Sequence, residues 1–207
     1  MFGCRTNGTL VWDRLRALYG MSKDDYGPAE EALQKVVPGE NLIFWQPRDE
    51  SFPVSGAFDI VRIGDAVPGF ESDYCGLVES SLAAVYLHSR DFARPKEPLL
   101  HVVGGATGSL GVMRRVAAIW NRPVVPIGEA GAALGASVAG VRALLKSEGA
   151  ELGVEGLSEA LVQRGAVIDP LPEDVAAFHR PGGYLDRFAV EEASLLQRHQ
   201  IRTSLPA

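Results

Sequence analysis

The residues best placed to do chemistry are glycines. The apolar run Leu99–Val103 ends at Gly104-Gly105-Ala106-Thr107-Gly108-Ser109, and a helical pattern begins at once. A small-residue turn between a buried strand and a helix leaves backbone N–H groups uncovered at the positive end of the helix dipole, which suits a phosphate or a nucleotide. The competing reading is a tight packing turn. A second cluster, Gly128-Glu129-Ala130-Gly131-Ala132-Ala133-Leu134-Gly135-Ala136, opens another helix with small residues on several faces. Such residues admit a second backbone or a flat ligand ring. Two such turns one βαβ unit apart would form a cleft at the strand ends, where α/β proteins bind ligands.

Other chemistries find less support. No serine sits in a G-x-S-x-G elbow, and no H-E-x-x-H or Cys-His pairing occurs. The glycine turn lacks the Gly-Lys-Ser/Thr of a Walker A loop and fits G-x-G-x-x-G only loosely. A dinucleotide-binding reading would need an acidic residue after the next strand, where only Glu129 stands. His88 and His101 have no second ligand nearby and read as structural. The polar loop from Gln46 to Gly56 reads as solvated. Cys4 and Cys75 form no metal-ligand spacing and read as reduced thiols rather than a disulfide.

Composition sets the frame. The 207 residues are 46% hydrophobic and 22% charged, ordinary globular values. A net charge of −6 argues against a nucleic-acid or anionic-membrane surface. No apolar run approaches the roughly 20 residues of a membrane span, and no secretory leader is visible, so the expected location is cytoplasmic. Ala130–Leu145 is the longest small-apolar stretch; interrupted by Ser137 and Arg142, it reads as a buried core helix.

These motifs need elements to hold them. Thr6 or Asn7 can cap a first helix with Leu10, Val11, Leu15, Leu18 and Tyr19 on its apolar face, stopped by Gly20. Pro28 opens a second helix, Ala29–Val37, closed by Pro38-Gly39. Leu42–Trp45 and Ala57–Gly64 read as strands. Asp73 can cap a helix Tyr74–Arg90 that buries Leu77, Val78, Leu82, Val85 and Tyr86. The prolines at 170, 172 and 181 suggest an extended Asp169–Gly183, and Tyr184–His199 reads as a closing helix. Helices alternating with buried strands, without a linker, define one α/β domain over residues 1–207.

The two small-residue motifs resemble those of the FGGY carbohydrate kinases, in particular the C-terminal domain of the xylulokinase-like members. The family's strand-GGG-A-x-S turn resembles Val103-Gly104-Gly105-Ala106-Thr107-Gly108-Ser109. Its later (E/D)-x-x-A-x-GAA helix start resembles Glu129 to Ala136, at a spacing that needs no gap. Similarity extends outward to Ile63-Gly64-Asp65 before a long helix bearing Glu79, to Phe178-His179-Arg180-Pro181 before Tyr184 and Phe188, and to the helix around Trp12. The resemblance implies an actin-like ATPase (ribonuclease H-like) fold, a mixed sheet flanked by helices. It implies an enzyme that transfers the γ-phosphate of ATP, with Mg²⁺ held through the phosphates, to a sugar or polyol hydroxyl of xylulose type. Carried onto this chain, it assigns Gly104, Gly105, Ala106 and Ser109 to the nucleotide, Gly131 and Leu134 to the adenine wall, and Glu129 to its rim.

The departures are equally specific. The family's catalytic aspartate, sugar contacts and Gly-Thr-Ser phosphate turn have no counterpart here, so no catalytic residue and no protein metal ligand is expected, and the chain is expected to be inactive alone. Ala106 replaces the third glycine, Gln46–Ser51 replaces a Ser-Gly-Glu-Arg loop, and Asp65-Ala66-Val67 stands where a threonine follows the strand. The expected partners are ATP or ADP and either a missing N-terminal kinase domain or a second copy of the chain, with self-association through the face around Gly104–Ser109. The sugar would bind only in a complete enzyme. An orphan actin-like domain acting as a binding or regulatory protein is the alternative.

Overall fold

The computed structural model describes residues 6–50, 56–64, 67–90, 98–128, 132–150 and 152–203. Its helices are α1 (Thr9–Leu18), α2 (Gly27–Lys35), α3 (Phe70–Ser89), α4 (Leu110–Trp120), α5 (Ala132–Ser147), α6 (Val154–Leu161), α7 (Pro172–His179) and α8 (Tyr184–Thr203). Its strands are β1 (Leu42–Gln46), β2 (Phe58–Ile63), β3 (Leu100–Val103) and β4 (Val124–Ile127). Both strand polarities occur, distributed over two ladders among the described residues. β1 pairs with β2 antiparallel, Phe44 opposite Val61, with an irregularity between Phe44 and Gln46. β3 pairs with β4 parallel, Val103 opposite Ile127. Val124 and Ile168 exchange backbone hydrogen bonds of 2.9 and 2.8 Å, which adds the segment after α6 to β4.

β1 is buried at every residue, because it is covered on both faces. Trp45 joins a core with Val11, Trp12 and Leu15 of α1, Leu33 of α2, Leu77 and Val78 of α3, and Met113 of α4. Leu42 and Phe44 join a second core with Ile119, Phe178, Tyr184 and Phe188. Close approach of α3 to β1 depends on Gly76, where a Cβ would lie 2.7 Å from Ile43 Cγ1. Between the cores, the buried Glu79 accepts from Arg115 Nε at 3.2 Å and from the Gly39 amide at 3.0 Å. Arg115 also donates to the Val36 carbonyl at 2.9 Å.

Several local expectations fail. Neither Thr6 nor Asn7 caps α1; Gly8 stands there without a side-chain bond. Asn7 instead donates to the Arg48 carbonyl at 2.8 Å and to Glu50 Oε2 at 3.1 Å, tying the chain start to the loop after β1. The buried face of α1 is Val11, Trp12, Leu15 and Arg16, while Leu10 and Leu18 are exposed. Asp73 lies within α3, one turn past its cap Gly69, and is gripped by Arg62 and by the Tyr19 hydroxyl; Val85 on this helix is exposed.

The proline-rich stretch 169–183 is not largely extended. Pro172 stands in the first turn of α7 with Glu173 and Asp174 beside it, a favoured helix start because the missing amide had no partner to lose. Finally, α5 is not a buried core helix. Its principal neighbour is α6, and Val141 and Leu144 are exposed. An apolar stripe records that a helix needs a partner, without placing that partner in the same chain.

Candidate functional site

The glycine turn leaves β3 through Gly104, whose φ of +119° and extended ψ are open only to a residue without a side chain. Gly105–Gly108 then makes one 3₁₀ turn. Thr107 holds it from within: its amide and Oγ1 both donate to the Gly104 carbonyl, at 3.1 and 2.7 Å. Ser109 caps α4, its Oγ accepting from the Val112 amide at 3.1 Å.

The positive end of α4 is already occupied. Glu30, reaching across from α2, accepts from Ser109 Oγ at 2.6 Å and from the Gly111 amide at 2.8 Å. A carboxylate in that place neutralises the helix dipole as a phosphate would. The expected phosphate cradle at the start of α4 is therefore filled from inside the molecule.

What lies open is the flank of the turn. Gly105, Ala106, Gly108 and Ser109 line a cavity of about 520 Å³ whose opposite wall comes from α1 and the start of α2. Trp12, Tyr74 and Val112 give it an apolar floor, and Thr9, Asp13, Tyr26, Glu30 and Ser109 supply its polar groups. A Cβ added at Gly105 or Gly108 would meet nothing within 4 Å, so no packing contact requires glycine at either position. Trp12 is held by its indole N–H, which donates to Ser81 Oγ at 3.1 Å.

The structure brings four of the expected residues to one place: Gly105, Ala106 and Ser109 line the cavity, and Gly104 directly precedes them. Ser109 does so with a hydroxyl already engaged as cap and as donor to Glu30. Leu134 lies half-buried on α5 and does not line this cavity. Glu129 and Gly131 lie outside the described residues, as do Asp65, Ala66 and Cys4. The sequence reading missed Asp13, Tyr26 and Glu30, which come from α1 and the start of α2, far before the turn in the chain. A hint lay in Arg16, a charge on the apolar side of α1.

Burial pushes the Glu79 carboxyl up to about 7, opposed by Arg115 and the Gly39 amide. Burial also raises the Cys75 thiol to about 12, so it is an inert thiol at neutral pH. His88 contacts Glu192 at 2.8 Å, and His101 is exposed on β3. Among the described residues no three His, Cys, Asp or Glu side chains group as a metal site, and no helix is long and apolar enough to cross a membrane.

No protein-family model matches the chain. Among the solved structures it resembles are carbohydrate kinases. A ligand-bound xylulose kinase from Lactobacillus acidophilus superposes with a TM-score of 0.75 at 16% identity, over 95% of this chain and 40% of that one. A gluconate kinase from the same organism gives 0.77 at 15% over the same shares, and a xylulose kinase from Rhodospirillum rubrum gives 0.76 at 22%, over 96% and 40%. The fold is thus the α/β, actin-like ATPase fold of the sugar kinases. The sequence narrows the class: it is 30% identical over 199 residues to xylulose kinase from Streptomyces coelicolor, covering 94% of this chain and 38% of that protein. The chain thus resembles the xylulokinase-like carbohydrate kinases in fold and in sequence, and it spans about two fifths of the length of these relatives.

Proposed function

We propose that this chain is the C-terminal, nucleotide-side part of a carbohydrate kinase that transfers the γ-phosphate of ATP to a sugar or polyol hydroxyl, with a xylulose-like acceptor. The observation that carries the reading is the cavity of about 520 Å³ against Gly105–Ser109. Its apolar floor and the Tyr26 ring suit a nucleobase, the small residues of its turn leave room for the nucleoside, and its carboxylates disfavour a phosphate. The phosphates would therefore run outward past Gly104 and Gly105, with Mg²⁺ carried on them rather than by a protein cluster. Glu129, Gly131 and Leu134 are proposed to complete the adenine wall once α5 is seated against a partner.

In this reading the base that accepts the sugar proton and the sugar pocket come from chain beyond these residues, and the chain alone turns over no sugar. Photolabelling with 8-azido-ADP tests it. The expected label falls on peptides spanning residues 9–30 or 104–112 and is competed by ADP, while xylulose with Mg-ATP yields no ADP. Absence of ADP-competed label there would overturn the nucleotide reading, and sugar phosphorylation by the chain alone would overturn the divided active site. A second reading, a non-catalytic actin-like binding protein, draws on Ala106 at a turn position that resembles a glycine in the family, and predicts no competed label.

A further inference from the structure

The mouth of the cavity contains an arrangement that packing does not require. Arg16 is a buried cation, 2% exposed, on the inner face of α1. Its guanidinium donates to the carbonyls of Ser22 and Asp25, each at 2.6 Å, and so fixes the loop between α1 and α2. The same group lies 3.8 Å from the centroid of the Tyr26 ring and donates to Asp13 Oδ1 at 2.9 Å. Tyr26 closes the triangle, its hydroxyl donating to Asp13 Oδ1 at 3.1 Å. Thus a buried charge is spent on holding an aromatic ring that is 53% exposed and a carboxylate that is 43% exposed. Both held groups line the cavity.

A cation behind one face of the ring leaves the other for stacking. Oδ1 of Asp13 takes both internal bonds, and Oδ2 accepts from no described residue. A rigidly held aromatic face beside a free carboxylate oxygen fits a flat base joined to a vicinal diol. Resting on the nucleotide-binding reading above, we propose that Asp13 makes this site selective for ribonucleotides, accepting the ribose 2′,3′-diol while the base stacks on Tyr26. Glu30 cannot take that role as readily, because each of its oxygens already holds one donor.

Calorimetric titration of the full chain with ADP and with 2′,3′-dideoxy-ADP tests this, since the ligand pair probes the contact without altering the fold. ADP is expected to bind about tenfold more tightly, the scale of a hydrogen bond to a charged group. Asp13→Asn, which retains an acceptor for Arg16 and Tyr26, is expected to erase that preference by weakening ADP alone. Tyr26→Ser is expected to weaken both ligands, and Glu31→Gln, on the exposed side of α2, neither. Equal affinities for the two ligands in the native chain, or a preference that survives Asp13→Asn, would overturn the proposal while leaving nucleotide binding intact. Binding of neither ligand would overturn both.

Discussion

Glu30→Ala removes the side chain that hydrogen-bonds α2 to the start of α4. Two hydrogen bonds to a carboxylate are lost, from Ser109 Oγ at 2.6 Å and from the Gly111 amide at 2.8 Å. A hydrogen bond to a charged group contributes about 1.5–3 kcal/mol, and a carboxylate at a helix N-terminus about 0.3–1 kcal/mol more. The site borders an open cavity, so water recovers part of this, and Ser109 keeps its cap on Val112. The net cost is about 2–3 kcal/mol. For a domain of this size that lowers the melting temperature by roughly 5–10 °C. Differential scanning calorimetry would read it directly. Glu30→Gln, retaining one neutral acceptor, should lose about half as much. The variant also uncovers the helix terminus for an external anion, so sulfate should stabilise Glu30→Ala more than the native chain at matched ionic strength. A loss below about 0.5 kcal/mol, the range of ordinary surface changes, would refute the view that Glu30 occupies this terminus.

Two further substitutions probe the scaffold. At Gly111 an added Cβ would lie 2.6 Å from Leu33 Cβ and 3.3 Å from Glu30 Oε1; Gly111→Ala should cost about 1–2 kcal/mol by overpacking, despite the better helix propensity of alanine, read as a lowered urea midpoint. Glu79 is an acid whose folded pKa of about 7 exceeds its ordinary 4.5, so its contribution to stability is full below pH 4.5 and is lost as pH rises through about 7. The gap of roughly two and a half units corresponds to about 3 kcal/mol. Against Glu79→Gln the stability difference should shift by that amount between pH 4.5 and pH 8, and a constant difference would contradict it.

What could be read from the sequence was local in origin. The unit β3–turn–α4–β4 follows from an apolar run, a glycine turn and the helical pattern after it, all within thirty residues. Arg62 with Asp73, Glu79 with Arg115, and Glu30 with Ser109 were not legible, because nothing in a single chain marks which distant acid a cap or an arginine will meet. Asp73 shows the conflict best: its local signal is a cap, and a bidentate arginine outbids it. The cleft was anticipated between the two glycine clusters, but the cavity opens toward α1 and α2 instead. That wall is built from Trp12, Asp13 and Tyr26, residues that look like ordinary helix and loop until Arg16 is seen buried beneath them.

The site's charge distribution constrains how any nucleotide could sit. A triphosphate needs donors and cations, yet the charged side chains at this cavity are Asp13 and Glu30, beside the hydroxyls of Thr9, Tyr26 and Ser109, and the nearby guanidinium of Arg16 is buried and bonded to carbonyls and Asp13. Desolvating a phosphate beside two carboxylates would be opposed by like-charge repulsion. A nucleoside meets no such barrier, since its hydroxyls donate. Under the proposed function the cavity therefore suits a nucleoside better than a phosphate, and the fold leaves α5, the other expected wall, exposed and joined chiefly to α6. Both gaps call for the same thing under the proposed function: a second polypeptide surface that brings cations to the phosphates and seats α5 beside the turn.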